Sequence, residues 1–373
     1  MFNVAITATG VHAPENVITN QELVQAFNAY ADTWNADNAA AIAAGTLEAK
    51  AHSSVEFILQ SSGIDNRHVV DKSGILDPDR MYPRLDPRPD DAPSLMAEMG
   101  IKAARIALDR AGTDPADIDC ILCAASNHER AYPAISVEIQ DLLGAGGFAF
   151  DMNVACSSAT FGIQTAADMI RTGSIRKALV ISPEITSGHL EWRDRDCHFI
   201  FGDVATAVLL ERDEGDLQTP YFKVKSTRAA TQFSNNIRNN MGFLRPAHDQ
   251  MDDRRDMRFM QNGRKVFKEV LPLVSAHIAA HLADAGVQAS DLKRLWLHQA
   301  NKTMNDYIGR KVLGRDPEPD EQPNILQDFA NTSSAGSIIA FDKYSDDLAP
   351  GDLGLICSFG AGYSVGSVIV ESA

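Results

Sequence analysis

FDMNVACSSATFGIQTAADMI, residues 150–170, is an apolar, strand-like run that turns through Ala155-Cys156-Ser157-Ser158 into a segment with helical spacing. A cysteine at such a turn can be inert filler, a metal ligand or a nucleophile, and the rest of the chain decides which. A second small-residue turn, NTSSAGSI, begins at Asn331 and also leads into a helix-like stretch, 331 − 156 = 175 residues later. Nearly the same interval relates IALDRAGTDPADIDCILC (106–123) to AHLADAGVQASDLKRLWL (280–297). Each reads as helix, Ala-Gly stop, short loop and buried strand, and the two glycines give 286 − 112 = 174. FGDVATAVLL from Phe201 and FGAGYSVGSVIV from Phe359 each turn from Phe-Gly into an apolar strand. Three matched segments in one order predict two copies of one α/β unit, residues 1–215 and 216–373, built on layered sheets with parallel strands.

Other stretches break the repeat. The Ala-rich segment near 27–55 is helix-compatible, and the Pro- and Asp-rich segment 71–92 cannot stay regular for long. A polar stretch, 231–263, lies in the second half. These read as insertions that cap the lobes or an entrance. The chain of 373 residues suits two lobes with sizeable cores. Its 45% hydrophobic and 23% charged residues are ordinary for a soluble globular protein. With no basic leader ahead of an apolar region and no run of eighteen apolar residues, a cytoplasmic, non-membrane protein is expected. A net charge of −16 argues against general binding to nucleic acid or anionic membranes.

The five cysteines, Cys120, Cys123, Cys156, Cys197 and Cys357, are odd in number and irregular in spacing, unlike a disulfide scaffold. Cys120 and Cys123 have the spacing of a zinc knuckle, but IDCILCAAS reads as a strand. Positions three apart in a strand face opposite sides, and no second pair is present, so no metal is expected.

If the copies pack about a pseudo-twofold axis, Cys156 and Asn331 become mates at helix starts facing one interface. His298, in WLHQAN, comes after the second copy's buried strand, and strand ends are where open α/β sheets bind ligands. The three side chains then converge on one pocket. A free thiol is only about 3% thiolate at pH 7, and a helix N-terminus or nearby donors are expected to lower its pKa. Neutral His and Asn both donate hydrogen bonds, and two donors on one oxygen stabilise an enolate or a tetrahedral oxyanion. The same order also fits a papain-like hydrolase, since 298 − 156 = 142. That nucleophile, however, lies near the mature N-terminus in a C-G-[SA]-C-[WY] signature, which Ala-Cys-Ser-Ser lacks. The other class is carbon–carbon bond formation on thioesters.

At these residues the sequence resembles the thiolase superfamily and, within it, the β-ketoacyl-acyl-carrier-protein synthase III family. The matches are FDMNVACSSATFGI around Cys156, LHQAN around His298, FANTSSAGS around Asn331 and the terminal FGAGYSVGSVIV. SGIDNRHV, AYPAISVEIQDLLG, DRDCHFIFGDVATAVL and NGRKVFKEV support them in order along nearly the whole chain. The resemblance implies a thiolase-like fold, two duplicated α/β halves in α-β-α-β-α layers, and a homodimer. It implies acyl transfer from acyl-CoA to Cys156, then decarboxylation of malonyl-ACP assisted by His298 and Asn331, and release of 3-oxoacyl-ACP. Both thioesters are substrates; no cofactor is implied. The backbone N–H groups of Cys156 and Ala361 become the oxyanion hole. Asn at the third position points away from the elongating Cys-His-His synthases, and SFGAGYSVG lacks the second cysteine of a degradative thiolase.

The same resemblance implies the substrate contacts. Arg195 and Phe57 fall where the family grips the CoA adenine from two sides, with Phe57 in place of a usual Trp and Ser61 in place of a basic residue. Asn301 matches a contact to the pantetheine arm. Lys268, Arg310 and Lys311 match a basic rim for an acidic carrier protein, acting over about one Debye length. Tyr132 holds the position from which the partner subunit closes the acyl tunnel, and a primer longer than acetyl is compatible with the insertions. Two alternatives stay open. One is a related synthase joining other thioesters, of secondary-metabolite or head-to-head type, the latter expecting a Glu base near Tyr132 such as Glu129. The other is a non-catalytic or hydrolytic thioester-binding protein.

Overall fold

Nine strands build the main sheet array in a computed structural model that describes residues 1–218, 220–247 and 255–373. They are β1 (Asn3–His12), β2 (Cys120–Ala124), β3 (Phe148–Met152), β4 (Lys177–Glu184), β5 (Val204–Asp213), β6 (Phe222–Ser234), β7 (Leu292–Leu297), β8 (Leu353–Gly360) and β9 (Gly362–Ser372). Their order is β3-β2-β4-β5-β1 in the first half and β6-β9-β8-β7 in the second. The two arrays meet where β1 pairs with β6 through Ala5–Lys223 and Ile6–Phe222. Outward from that seam, equivalent strands come in the same order on both sides.

Two expectations are corrected here. Parallel pairing is confined to β2–β3, β2–β4 and β7–β8, while the other neighbours run antiparallel. β8 turns into β9 at Ala361 with no crossover helix, and a tight connection of that kind only joins antiparallel strands. The second copy is also incomplete. The residues 175 after β3, 323–327, form no strand; a short helix, Leu326–Phe329, begins there, after Pro323, which lacks a ladder donor.

Eight helices matter for the site: α1 (Asn20–Asp37), α2 (Val55–Ser62), α3 (Leu95–Ala111), α4 (Ile135–Leu143), α5 (Ser158–Thr172), α6 (Gly263–Ala285), α7 (Lys302–Leu313) and α8 (Gly336–Lys343). α5 and α8 lie between the sheets, where Ala159, Ile163, Ala166, Ile338 and Phe341 share one core with Val4, Leu122, Val208, Ile356 and Val368. α3 and α4 cover the outer face of the first sheet, and α6 and α7 that of the second. The layers are therefore α-β-α-β-α. α5 reaches the middle because it is built of small residues; a Cβ on Gly162 would lie 2.7 Å from Val180 Cγ1. By length and composition α6 is apolar enough to cross a membrane. Its stripe Val266, Val270, Val274 and Ile278 is buried on the second sheet, so core packing accounts for that hydropathy.

The insertions form a further core. Leu23 and Phe27 of α1, Ile58 of α2, and Ile75 and Met81 from the Pro-rich segment pack with Trp192, Phe199, Phe201 and Ala330. The segment 71–92 contains no helix or strand, as its prolines require. Of the polar stretch, residues 248–254 lie outside the described residues.

Candidate active site

Cys156 sits between the end of β3 and the start of α5, after Ala155, whose φ of 48° is left-handed and strained for an alanine. The serines after it are locks. Ser158 Oγ accepts from the Val154 N–H (2.9 Å) and donates to the Ala155 carbonyl (2.7 Å), which shapes the turn. Ser157 Oγ donates to the Ser364 carbonyl (3.1 Å) and accepts from Ser364 Oγ (3.0 Å), which ties the turn to the other half. Gly360 lies against the nucleophile so closely that a Cβ there would be 2.6 Å from Cys156 Cβ.

Cys156, His298 and Asn331 line one cavity of about 600 Å³. Its other walls are largely apolar and include Phe57, Phe199, Phe201, Ile237, Phe259 and Val270. The thiol accepts a hydrogen bond from Ser333 Oγ at 3.4 Å. The expected lowering of its pKa is not what the structure gives. Burial pushes the thiol up to about 11, over the opposing hydrogen bonds from Ser333 and from the backbone N–H groups of Ala361 and Cys156. Glu184 raises it further. Desolvation of a buried thiolate outweighs a helix end worth ~0.3–1 kcal/mol. The same two backbone N–H groups named from the sequence thus point at the sulfur.

His298 comes directly after β7 and is fully enclosed, with its ring edge-on to Phe359 at 5.2 Å. Burial lowers its pKa to about 4, against a hydrogen bond with the Ser333 backbone, so it is a neutral imidazole near pH 7. Asn331 is held by its backbone: its N–H donates to the Ile200 carbonyl (3.0 Å) and its carbonyl accepts from the Gly202 N–H (3.1 Å). Asn331 Oδ1 accepts from the Ser333 N–H at 2.9 Å, which orients the amide and leaves Nδ2 for a ligand. Behind the trio, buried Glu184 accepts from Ser126 N–H (3.0 Å) and Oγ (2.5 Å) in one half and from Ser334 N–H (3.2 Å) and Oγ in the other. Burial raises its pKa, against those bonds.

Sequence reasoning missed Ser333, Glu184 and Gly360. Ser333 lies within NTSSAGSI, and its offset from the Cys156 turn was the available signal. Arg264, at the cavity mouth beside half-exposed Phe267, was also missed.

The remaining predicted contacts fare unevenly. Arg195 and Phe57 do not flank an open slot: the guanidinium lies 4.0 Å from the Phe57 ring centroid. A base between them needs roughly twice that spacing. Arg195 Nε is spent on the His52 carbonyl at 2.7 Å. Asn301 lines the cavity; its Nδ2 donates one hydrogen to the Ser61 carbonyl (2.5 Å) and its Oδ1 caps α7 through Thr303 and Met304, which leaves the second Nδ2 hydrogen for a ligand. Lys268, Arg310 and Lys311 are exposed; Arg310 pairs with Asp316 at 2.5 Å. Tyr132 is 86% exposed and does not line the Cys156 cavity of its own chain. Glu129 lines a separate groove of about 1120 Å³ and accepts from the Met96 N–H (3.1 Å) at the start of α3.

Cys120 and Cys123 belong to the inner and outer cores, on opposite faces of β2. Ligand atoms of Cys123, His128 and Asp151 lie within 4.8 Å of one another. Both Asp151 oxygens already accept from the N–H groups of Ile135 and Ser136 at the start of α4.

A duplicated, five-layered frame with one site between its halves is the thiolase-like fold of the condensing enzymes. The family model for 3-oxoacyl-[acyl-carrier-protein] synthase III matches residues 150–227, and that for its C-terminal part matches 282–372. The chain is 54% identical to a β-ketodecanoyl-[acyl-carrier-protein] synthase of Pseudomonas aeruginosa, over 93% of this chain and 99% of that one. It is 30% identical to a β-ketoacyl-[acyl-carrier-protein] synthase III of Erythrobacter litoralis over the whole of both. A crystal structure of the synthase III of Aquifex aeolicus superposes with a TM-score of 0.76 at 23% identity, covering 99% of each chain. The chain belongs to the β-ketoacyl-acyl-carrier-protein synthase III family, and is a condensing acyltransferase of fatty acid biosynthesis.

Proposed function

We propose that this enzyme condenses an octanoyl primer, delivered as acyl-CoA, with malonyl-ACP to give 3-oxodecanoyl-ACP and CO2. The observation that carries the reading is the shared cavity of Cys156, His298 and Asn331, with the Asn331 amide pre-set by Ser333. Chain length is taken from the Pseudomonas relative, whose name specifies a β-ketodecanoyl product; removing the two carbons that malonate contributes leaves octanoyl. The apolar walls and the volume of about 600 Å³ suit such a chain.

Cys156 Sγ attacks the acyl-CoA carbonyl, the Cys156 and Ala361 N–H groups hold the oxyanion, and the thiol's proton leaves with CoA as its free thiol. Because burial keeps the resting thiol protonated, acylation draws on a small thiolate population. Malonyl-ACP then enters. Neutral His298 and Asn331 Nδ2 donate to its thioester oxygen as CO2 departs and the electron pair becomes an enolate. That carbon attacks the acyl-enzyme, the C–S bond breaks, and the released Cys156 thiolate takes a proton from solvent water. The exposed cations Lys268, Arg310 and Lys311 offer a docking rim to an acidic carrier protein. Tyr132, so exposed on its own chain, suits insertion into a partner's cavity in a homodimer.

Intact mass measurement after incubation with acyl-CoAs of two to twelve carbons tests this. The expected result is an octanoyl adduct at Cys156, discharged to a 3-oxo product by malonyl-ACP and not by malonyl-CoA. An unlabelled Cys156, or an adduct only with acetyl, overturns it.

A further inference from the structure

Ser333 is 2% exposed and reaches all three members of the trio. Its N–H braces Asn331 Oδ1 at 2.9 Å, its backbone hydrogen-bonds His298, and its hydroxyl donates to Cys156 Sγ at 3.4 Å. The backbone contacts set up the decarboxylating pair, and every residue but proline supplies them. The hydroxyl is different. Among the described residues Sγ is its one acceptor, and no other side chain hydrogen-bonds Sγ. Burial keeps His298 neutral, so the sulfur has no imidazolium to pair with.

The backbone holds the hydroxyl there against strain. Ser333 has a φ of 52°, a positive value that is unfavourable for a serine. On one side Asn331 is pinned between Ile200 and Gly202; on the other Ser334 is pinned to Glu184 through its N–H (3.2 Å) and its Oγ. The remaining donors to the sulfur, the N–H groups of Cys156 and Ala361, are also the oxyanion hole. Once an acyl carbonyl enters, they turn to its oxygen and leave the sulfur. Charge on Sγ is then met by the Ser333 hydroxyl alone, while burial and the carboxyl of Glu184 behind the trio both oppose that charge. An O–H bond to a thiolate is charge-assisted, whereas the same bond to a neutral thiol or thioester sulfur is weak.

We infer that Ser333 is a fourth catalytic residue, its hydroxyl stabilising the Cys156 thiolate twice in each cycle: as it attacks the acyl thioester and as it is expelled from the condensed product. No proton passes to or from the hydroxyl; the thiol proton leaves with CoA and returns from solvent water. The acylation half of the inference rests on acyl-CoA being the donor, whereas the reactivity of the free thiol does not.

Three rates test it in Ser333→Ala and Ser333→Gly: alkylation by iodoacetamide, the octanoyl-CoA burst, and CO2 release from malonyl-ACP by enzyme already acylated through long incubation. Both variants lack the hydroxyl and keep the N–H, and glycine adopts a φ of 52° without strain, so its fold persists. In both, alkylation at pH 8 and the burst are expected to slow about ten- to a hundredfold, with alkylation still climbing about tenfold per pH unit. CO2 release by the acylated enzyme keeps its rate, the reverse of what loss of the Asn331 amide does. Alkylation and burst at the unmodified rates in both variants overturn the inference. So does a loss confined to Ser333→Ala, which would trace the effect to backbone strain, and so does CO2 release that falls as far as acylation, the mark of a disturbed site. Failure of octanoyl-CoA to label the unmodified enzyme overturns the functional reading instead, and the alkylation rates still decide this one.

Discussion

Ala155 at φ 48° precedes Cys156, and Ala330 at φ 57° precedes Asn331. Since 330 − 155 = 175, each half sets a positive-φ alanine elbow just ahead of its site residue, at the same interval that separates the thiol from the amide. Beyond the elbows the two chains part. The first half continues into the 15-residue α5, and Ser157 fastens the turn to β9 through Ser364. The second enters a short 3-10 turn, Ser333–Ala335, and the Ser333 N–H goes to Asn331 Oδ1. One frame therefore presents a sulfur at a helix start and an amide braced by its own turn. Ser333 joins them, donating its hydroxyl to the sulfur and its N–H to the amide. Duplication supplied two equivalent perches, and divergence at a few side chains gave them different work.

The outer edges differ as well. β7 is shielded where the Leu295 N–H donates to the Glu321 carbonyl at 2.7 Å. β3 is a sheet edge with Phe148 47% exposed and Val137 of α4 44% exposed beside it. An apolar, unprotected strand edge invites pairing, so any self-association is expected through the first half.

The largest effect expected is from Cys156→Ser, which abolishes acyl labelling and lowers turnover by at least about a thousandfold. Retained labelling would move the nucleophile off the first elbow. Asn331→Ala at the second elbow is expected to cost about 10²–10³ in condensation while leaving acylation nearly intact, as burst and steady-state rates would show. Equal loss of both steps would erase the division of labour between halves. The raised thiol pKa has its own signature. Burial disfavours the thiolate, so alkylation of Cys156 by iodoacetamide should climb about tenfold per pH unit above pH 7, without a plateau until near pH 11. A plateau near pH 8 would mean that the helix start prevails after all.

Glu184→Ala removes the hydrogen-bonded bridge between Ser126 and Ser334, and should lower unfolding free energy by about 1–3 kcal/mol in urea titration. Because burial raises the Glu184 pKa, its native form favours the proton, and the stability it adds is present in acid and lost as pH rises through that pKa. Glu184→Gln, which keeps an acceptor oxygen for both serines but cannot titrate, should flatten that dependence. Smallest, Ala155→Gly and Ala330→Gly should each relieve elbow strain worth about 1 kcal/mol, read as a raised urea midpoint. A loss at either would show that the strain is offset by packing of the methyl group.

Much of this was legible in the chain. The interval of 174–175 residues, shared by small-residue turns and Ala-Gly stops, reports the duplicated frame, because helix stops and buried strands leave local signatures. Cys156, His298 and Asn331 stood out for the same reason: each comes just after a recognisable element boundary. The absent edge strand was written only faintly in 323–327, PNILQ, where Pro323 and Asn324 disfavour a strand but the Ile325-Leu326 pair fits strand or helix alike. The closed slot between Arg195 and Phe57 was not legible, since it depends on two side chains far apart in sequence meeting through the insertion.

Sequence alone determined the repeat, the order of the catalytic candidates and the family, because residue identity and local spacing carry those. Whether the thiol is acidic and where the amide points were settled only by folding. Those are properties of burial and of neighbours brought from distant parts of the chain, and a protonated Cys156 beside Ser333 is the outcome that no local pattern encodes.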